Sequence, residues 1–267
     1  MPELLAAYDA QLRDRIPDPL PTGVTVERDG PLVRFFGLSG RGFVVYRDLG
    51  GLEGDGLDEL IARQVRAFAE RGEHFEWKLH GHDRPEDLPQ RLRAAGFVPE
   101  EIETVVIARV DAIAGEVQLP EAVSLREVTS RGDFERIAAL EMAVWGDHDQ
   151  QSWLVDMLDS ERAVDPDAIS IVVAEAGGKV VCAAWIRFEG RTEFATLWGG
   201  ATLPEWRRRG IYRATVACRA NLAAERGFRY LETDASDDSR PILERLGFRA
   251  VTTTTPYVWS PEVAPTD

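Results

Sequence analysis

LPEWRRRGIYRAT, residues 203–215, gathers four arginines around one glycine. The basic residues are Arg207, Arg208, Arg209 and Arg213, and the glycine is Gly210. The whole chain has 267 residues and a formal net charge of -15. A basic cluster on such an acidic protein indicates a local anionic ligand.

The segments around this stretch predict a strand before it and a helix after it. Phe194–Thr202 reads as a strand that Pro204 ends, because proline has no N–H to give to a sheet. Core-type positions then recur at helical spacing: Ile211, Thr215, Cys218 and Leu222. N–H groups in the first turn of such a helix bind phosphate, and Gly210 would permit its close approach. The alternative is a solvated basic turn that only caps the helix.

Composition and charge exclude several classes of protein. A content of 44% hydrophobic and 29% charged residues is typical of a globular protein. The low isoelectric point, near 4.8, argues against a nucleic-acid partner. Neither Cys182 nor Cys218 has metal-ligand spacing, so we expect buried thiols in a reducing compartment. No signal peptide and no apolar run of roughly 18 residues is visible, so we expect a cytoplasmic protein with no membrane partner.

A weak internal repeat links the two halves of the chain. The tetrapeptide AERG occurs at 69–72 and again at 224–227, each time after an amphipathic helix. A strand follows each copy, HFEWKLH at 74–80 and RYLETDA at 229–235. Two short helices come next, and Gly96 and Gly247 are predicted to cap them.

Each copy of the repeat then ends in a segment rich in β-branched residues, Ile102–Val110 in the first and Val251–Trp259 in the second. The order predicts two related α/β modules, residues 1–115 and 116–267, joined near Asp111–Ala122. Chance convergence of short patterns is the alternative.

The second half has more predicted strands and helices before its copy of the repeat than the first half has. Its predicted strands are Val123–Val128, Ile169–Ala174 and Val180–Phe188, and its predicted helices are Asp133–Trp145 and Ser152–Leu158. Gly177 and Gly178 predict a hairpin between two of these strands.

These motifs resemble the GNAT superfamily of acyl-CoA-dependent N-acyltransferases. The phosphate loop of that family reads Gln or Arg, two free positions, Gly, one free position, then Gly or Ala. Arg207 and Gly210 match it, as does Pro204 three residues earlier, whereas Tyr212 departs from the last small position. The resemblance covers Val123–Trp259, and the first half resembles only the later part of the fold.

The resemblance implies a GNAT-like α/β (α+β) fold of two tandem modules. Each has a mixed central sheet flanked by helices, and in the second the parallel strands Phe194–Thr202 and Tyr230–Ala235 splay apart around acetyl-CoA or another acyl-CoA. The implied cofactor-binding residues are Gly200, Thr202, Leu203, Arg207, Arg208, Arg209, Gly210, Ile211, Tyr212 and Arg213. Independently, Gly199-Gly200 interrupts a strand, which indicates a bulge or a close approach to the backbone. A plain packing bulge is the alternative.

The first module carries acidic residues where the arginines would be needed, in the stretch LGGLEGDGLDEL at 49–60. We therefore expect it to lack a CoA site and to serve as scaffold, dimer surface or acceptor wall; a homodimer is compatible with the sequence. His74, His80 and His82 fit no strong metal template, so we expect solvated loop histidines and no metal.

Acyl transfer from a thioester to an amine needs a base, a donor to the tetrahedral oxyanion and a proton for the thiolate. The resemblance places the oxyanion donor on the backbone near Trp198–Ala201. Where family members carry a glutamate base or a tyrosine acid, this chain has Thr196 and Leu243.

Other residues are therefore candidates for the proton-handling groups. Glu232 and Asp234 lie on one face of a predicted central strand and are candidate bases, with a salt bridge to an arginine as the alternative. Tyr212 and Tyr257 are candidate acids, with core packing of the ring as the alternative, and His148 is predicted to be a solvated loop histidine. Catalysis by positioning alone, with water removing the proton, is a further alternative.

The sequence thus predicts an N-acyltransferase that moves an acetyl or other acyl group from acyl-CoA to an amine. The acceptor would be a small molecule or a peptide, attacking directly in a ternary complex. The alternative is a non-catalytic acyl-CoA-binding sensor. A nucleic-acid-binding arginine turn is the weakest interpretation because the basic cluster is short.

Overall fold

The computed structural model describes residues 2–38, 41–146 and 150–261, with only the backbone described at 150–152. These residues form two compact units. The first unit contains the described residues of Met1–Ile16, Gly23–Val105 and Val251–Asp267, and the second contains Pro17–Thr22 and Val106–Ala250. The units interleave along the chain, unlike the linear division at residue 115 that the repeat predicts, because the C-terminal strand pairs within the first unit.

The elements follow in chain order. They are α1 (Pro2–Gln11), β1 (Thr25–Asp29), β2 (Leu32–Phe36), β3 (Gly42–Val45), α2 (Gly54–Ala69), β4 (Phe75–His80), α3 (Leu88–Ala94), β5 (Val98–Pro99), β6 (Glu103–Arg109), α4 (Val110–Ile113), β7 (Val123–Val128), α5 (Arg131–Trp145), α6 (Gln150–Val164), β8 (Ile169–Ala176), β9 (Lys179–Phe188), β10 (Phe194–Thr202), α7 (Ile211–Glu225), β11 (Tyr230–Ala235), α8 (Arg240–Leu246) and β12 (Arg249–Trp259). A 3-10 turn, Pro204–Trp206, stands between β10 and α7.

The sheet of the first unit runs in the order β1-β2-β3-β4-β12, with the short β5 also paired to β12. Strands β3 and β4 are parallel, and β12 runs antiparallel to β4 from Thr254↔His80 to Trp259↔Phe75. Helix α2 buries the apolar stripe that its sequence predicts, including Leu57, Leu60 and Phe68. The core of the unit lies between this helix and the sheet.

The sheet of the second unit runs in the order β6-β11-β10-β9-β8-β7. Strands β7 to β10 are antiparallel to their neighbours, whereas β10 and β11 are parallel because α7 connects them. One core cluster contains residues of α5, α6 and β7–β9, and a second contains residues of α7, α8 and β11. Both sides of the central strands are therefore buried, as their continuous apolar sequences require.

The predicted elements of the second module are present, and β7 and β10 have the predicted bounds. Gly177 and Gly178 form the predicted hairpin with positive φ values of 56° and 80°, and Gly247 caps α8 with a φ of 113°. The sequence analysis assigned no element before Leu57, so it missed α1 and β1–β3. Among the described helices, none combines the length and apolarity that a membrane span requires.

Candidate functional site

The parallel strands β10 and β11 separate after three paired positions, as predicted. The pairs are Phe194↔Tyr230, Ala195↔Leu231 and Thr196↔Glu232. One further contact follows, in which the Thr233 hydroxyl donates to the Leu197 carbonyl at 2.8 Å. Both strands then continue, β10 to Thr202 and β11 to Ala235, without pairing to each other, and we call the space between these unpaired strand ends the cleft.

Strand β10 carries a bulge at the level of this cleft. Its register against β9 shifts between Gly199 and Ala201, which leaves Gly200 as the extra residue. A Cβ atom at Gly199 would lie 2.4 Å from the Trp185 ring, and one at Gly200 would lie 2.6 Å from the Tyr212 ring. The predicted bulge is thus confirmed, and the close neighbours of its glycines are two aromatic rings of the chain itself.

Gly210 is the N-cap residue of α7, and its φ of 83° favours glycine. No side chain caps this N-terminus, and the first turn contains no acidic residue. A Cβ atom at Gly210 would have no atom within 4 Å, so the space in front of the helix is open. The first-turn amides and the positive end of the helix dipole therefore face a space where an anion can bind.

The arginines of this turn are exposed, and the groups that they contact are neutral. Arg207 Nε donates to the Thr202 carbonyl at 3.0 Å, and the Arg209 guanidinium lies 4.7 Å from the centre of the Trp206 ring. Arg213 Nη2 lies 3.4 Å from Gln118 Oε1, and Arg208 adopts a left-handed φ of 63°. In the described part of the chain, no carboxylate lies within 4.0 Å of these four guanidinium groups. A backbone hydrogen bond, Lys179 and the Arg209 charge together lower the pKa of Glu205, so Arg209 also acts on this nearby carboxylate.

Three other predicted cofactor-binding residues contact other parts of the chain and stabilise the backbone around the site. The Thr202 hydroxyl is buried and donates to Cys182 Sγ at 3.2 Å. The Leu203 amide donates to the Val181 carbonyl at 3.0 Å, and the Ile211 side chain lies in the core. These residues hold the strand end and the helix start in place.

The candidate proton-handling residues occupy different positions along the cleft. Glu232 is buried and in register with Thr196, before the strands separate, whereas Asp234 lies beyond the last paired position. The Tyr212 ring packs on Gly200, and burial raises the pKa of its hydroxyl. The Thr196 hydroxyl donates to Glu189 at 2.9 Å and accepts from the Trp198 indole at 2.8 Å.

The remaining candidates lie elsewhere. Tyr257 packs in the core of the first unit, so we correct its assignment to a packing role. Leu243 is buried in the core of the second unit. His148 lies outside the described residues.

Comparison with known families identifies this arrangement. Residues 134–248 match the model of the acetyltransferase (GNAT) family. This segment is a GNAT acetyltransferase domain. It contains the bulge, the arginine turn and both separating strands. A comparison with curated protein sequences gives no match.

Solved structures extend the GNAT likeness over nearly the whole chain. A GCN5-related N-acetyltransferase from Kribbella flavida is 16% identical, with 98% of this chain and 95% of that chain covered and a TM-score of 0.67. A tandem GNAT protein from the clavulanic acid biosynthesis pathway is also 16% identical, with 98% and 94% covered and a TM-score of 0.63. A conserved protein of unknown function from Staphylococcus epidermidis is 15% identical, with 93% and 99% covered and a TM-score of 0.64. These likenesses show the fold, which is that of tandem GNAT-like modules.

The GNAT domain contains a titratable residue that the sequence analysis missed, Glu141 on α5. Its Oε2 accepts from the Trp145 indole at 2.7 Å, and its Oε1 is buried without a hydrogen-bond partner. Burial raises the pKa of Glu141 from 4.5 to about 7. Its burial could have been inferred from helical spacing: Glu141 lies three residues after Ala138 and seven after Phe134, both on the buried face of α5.

We expect Glu141→Gln to remove a pH dependence of stability. In the unfolded chain the Glu141 carboxyl loses its proton near pH 4.5, whereas in the folded protein it keeps the proton until about pH 7. In that window the folded state binds more protons, so the free energy of unfolding falls as pH rises, by at most about 3 kcal/mol. Urea denaturation should find the variant and the parent equally stable near about pH 4 and the variant more stable near about pH 8. A difference in the free energy of unfolding between variant and parent that does not change with pH would contradict the raised pKa of Glu141.

The first unit has a parallel pair in the corresponding position, and the N-terminal segment packs beside the end of its second strand. Strands β3 and β4 also pair at three positions, from Gly42↔Phe75 to Val44↔Trp77. Beyond them, the buried Tyr8 hydroxyl hydrogen-bonds His80 Nε2 at 3.0 Å, and buried Arg13 donates to Asp83 at 2.6 Å. A pocket remains at this end of the unit, lined among others by Arg13, Leu49 and Glu53. The absence of a CoA site from the first module stays a prediction, which rests on the acidic residues of 49–60.

The histidines of the first unit differ from the prediction. His74 is exposed as expected, but His80 is buried, and burial together with the Arg13 charge lowers its pKa to about 2. His82 is half-buried, with Nδ1 2.8 Å from the Thr252 hydroxyl and Nε2 3.1 Å from Asp9. The solvated-loop interpretation is therefore wrong for these two, because α1 and β12 cover them. Within the described residues, no group of three His, Cys, Asp or Glu side chains could hold a metal ion.

Proposed function

We propose that the GNAT domain transfers an acetyl group, or another acyl group, from acyl-CoA to the amine of a small molecule or peptide. The observation that carries this proposal is the open, uncapped start of α7, surrounded by four arginines without carboxylate partners among the described residues, at the end of two separating parallel strands. Such a combination of amides, dipole and guanidinium groups binds phosphate and other anions, and the anion that acyl-CoA offers to it is its diphosphate.

The described residues have distinct roles in this proposal. The amides of Ile211, Tyr212 and Arg213 bind the diphosphate, and Arg207–Arg209 contact the outer phosphates. The pantetheine arm runs beside β10 between Gly200 and Thr202, where β11 no longer pairs with β10. The Tyr212 ring borders this path in place of the small residue of the family loop.

The reaction is a direct attack in a ternary complex. The amine lone pair forms the new C–N bond, the C–S bond breaks, and the sulfur leaves as the CoA thiolate. Asp234 and Glu232 are the candidate acceptors for the amine proton, and the Tyr212 hydroxyl is the candidate donor to the thiolate. The net charge of -15 favours a cationic amine as the acceptor, through electrostatic steering.

A second candidate is a non-catalytic acyl-CoA sensor. Thr196 and Leu243 occupy the positions of the family's base and acid, and neither side chain titrates near neutral pH. The Tyr212 ring against Gly200 also narrows the approach to the bulge.

Two measurements on the same protein separate these functions. Calorimetric titration with acetyl-CoA should show binding, and a thiol-release assay with a panel of cationic amines should show CoA production with at least one of them. Binding without release from any amine would support the sensor instead. A protein that binds no acetyl-CoA has neither function.

A further inference from the structure

A fully buried arginine lies behind the bulge of the GNAT domain. Arg219 projects from α7 and is 1% exposed. Its Nε donates to the Thr215 carbonyl of its own helix at 3.1 Å, and its Nη1 lies 3.1 Å from both the Trp185 and the Trp198 carbonyls. In the part of the chain that the structure describes, it forms no ion pair with a carboxylate.

A buried charge without a counter-ion is costly for folding. Burial lowers the pKa of Arg219, yet a guanidinium group stays protonated in proteins. Neutral carbonyl oxygens satisfy its hydrogen bonds but do not cancel its charge. The interior next to the bulge is therefore positively charged, and the groups on which this charge acts are the Tyr212 hydroxyl and the Cys182 and Cys218 thiols.

The hydrogen bond to Trp198 sets the direction of one peptide unit. Trp198 lies opposite Trp185 in the β9–β10 pair and directly precedes the bulge glycines. In a planar trans peptide the C=O and the following N–H point in opposite directions. The Trp198 carbonyl oxygen accepts from Arg219, and the Gly199 N–H lies on the opposite side of this peptide unit from that oxygen. The edge of β10 that does not face β9 borders the cleft, because β11 pairs only as far as Thr196.

We propose that Arg219 is a positioning residue that orients and polarises the Trp198–Gly199 peptide, so that its N–H becomes a stronger donor to the thioester oxygen. This inference rests on the proposed function. A charged donor on the carbonyl of a peptide strengthens the hydrogen bond that its N–H makes. The charge also stabilises the oxyanion that develops during the attack. Arg219 belongs to the same helix as the phosphate-binding turn, so it links the two ends of the cofactor site.

The test compares Arg219→Met, which removes the charge at similar volume, with Arg219→Lys, which keeps it. The direct readout is the infrared stretching frequency of the thioester carbonyl in bound, carbon-13-labelled acetyl-CoA. We expect a shift to lower frequency in the parent, loss of this shift in the Met variant and a partial shift in the Lys variant. The affinity for CoA without an acyl group should stay within about threefold, whereas kcat should fall roughly 10-fold to 100-fold in the Met variant.

The outcomes distinguish this inference from the proposed function. A Met variant with the parent's carbonyl frequency and kcat would overturn the role of Arg219 while leaving acyl transfer intact. If the parent binds acetyl-CoA without turnover, the carbonyl frequency still decides the inference. If the Met variant does not fold, Arg219→Gln decides it, because this neutral variant keeps a hydrogen-bond donor: the parent's frequency and kcat in the Gln variant would overturn the inference, and loss of the shift would support it. A parent that binds no acetyl-CoA overturns both.

Discussion

Gly210→Asp should weaken acetyl-CoA binding at least about 100-fold, which corresponds to roughly 3 kcal/mol. The new carboxylate would stand at the start of α7, where the proposed diphosphate binds. The space there is open, since a Cβ atom at this position would have no atom within 4 Å, so the side chain fits without a clash. Its negative charge near the helix N-terminus is itself favourable, so loss of binding would not come from loss of the helix.

Gly210→Asn is the matched control for this charge. Asn has the same shape as Asp and accepts the left-handed φ of 83° at a similar cost. We expect the Asn variant to bind acetyl-CoA within roughly threefold to tenfold of the parent by calorimetry. Equal affinities of the Asp variant and the parent would show that the phosphates bind elsewhere, and the main support for the proposed function would be lost.

Gly199→Ala should be strongly destabilising because the added methyl group would lie 2.4 Å from the Trp185 ring. That ring is 6% exposed and packed in the core, so it has little room to move. Overpacking of this kind costs roughly 1–3 kcal/mol, and the left-handed φ of 66° adds about 1–2 kcal/mol for alanine. The bulge would also shift, so we expect acyl transfer to fall together with stability.

Gly210→Ala separates these two contributions. Gly210 also has a left-handed φ, but a Cβ atom added there would have no atom within 4 Å, so the alanine variant has only the conformational cost of the left-handed backbone. Urea denaturation should therefore find Gly199→Ala less stable than Gly210→Ala by roughly 1–3 kcal/mol. Equal losses in the two variants would mean that the Trp185 ring moves aside without cost.

Most elements of the second module were predicted from the sequence, and so was the place of the proposed site. Strand β10, the arginine turn and α7 were predicted because their signals are local: apolar periodicity, a strand-ending proline and a glycine at the helix start. The separation of β10 and β11 was also predicted, from the family resemblance that these same residues carry. The short strands β1–β3 were missed because each has only four or five residues.

The groups that surround the proposed site come from elements far apart in the sequence, so they could be identified only in the folded chain. Arg219 reads as one more polar residue of a helix, and its burial became visible only with Trp185, which lies 34 positions away in the chain. The raised pKa of Glu141 and the rings behind Gly199 and Gly200 likewise depend on side chains of other elements. Pairing of β12 with β4 decided that the last strand belongs to the first unit. Local patterns fix where helices and strands form, whereas burial, pKa and close packing are properties of neighbours brought together by the fold.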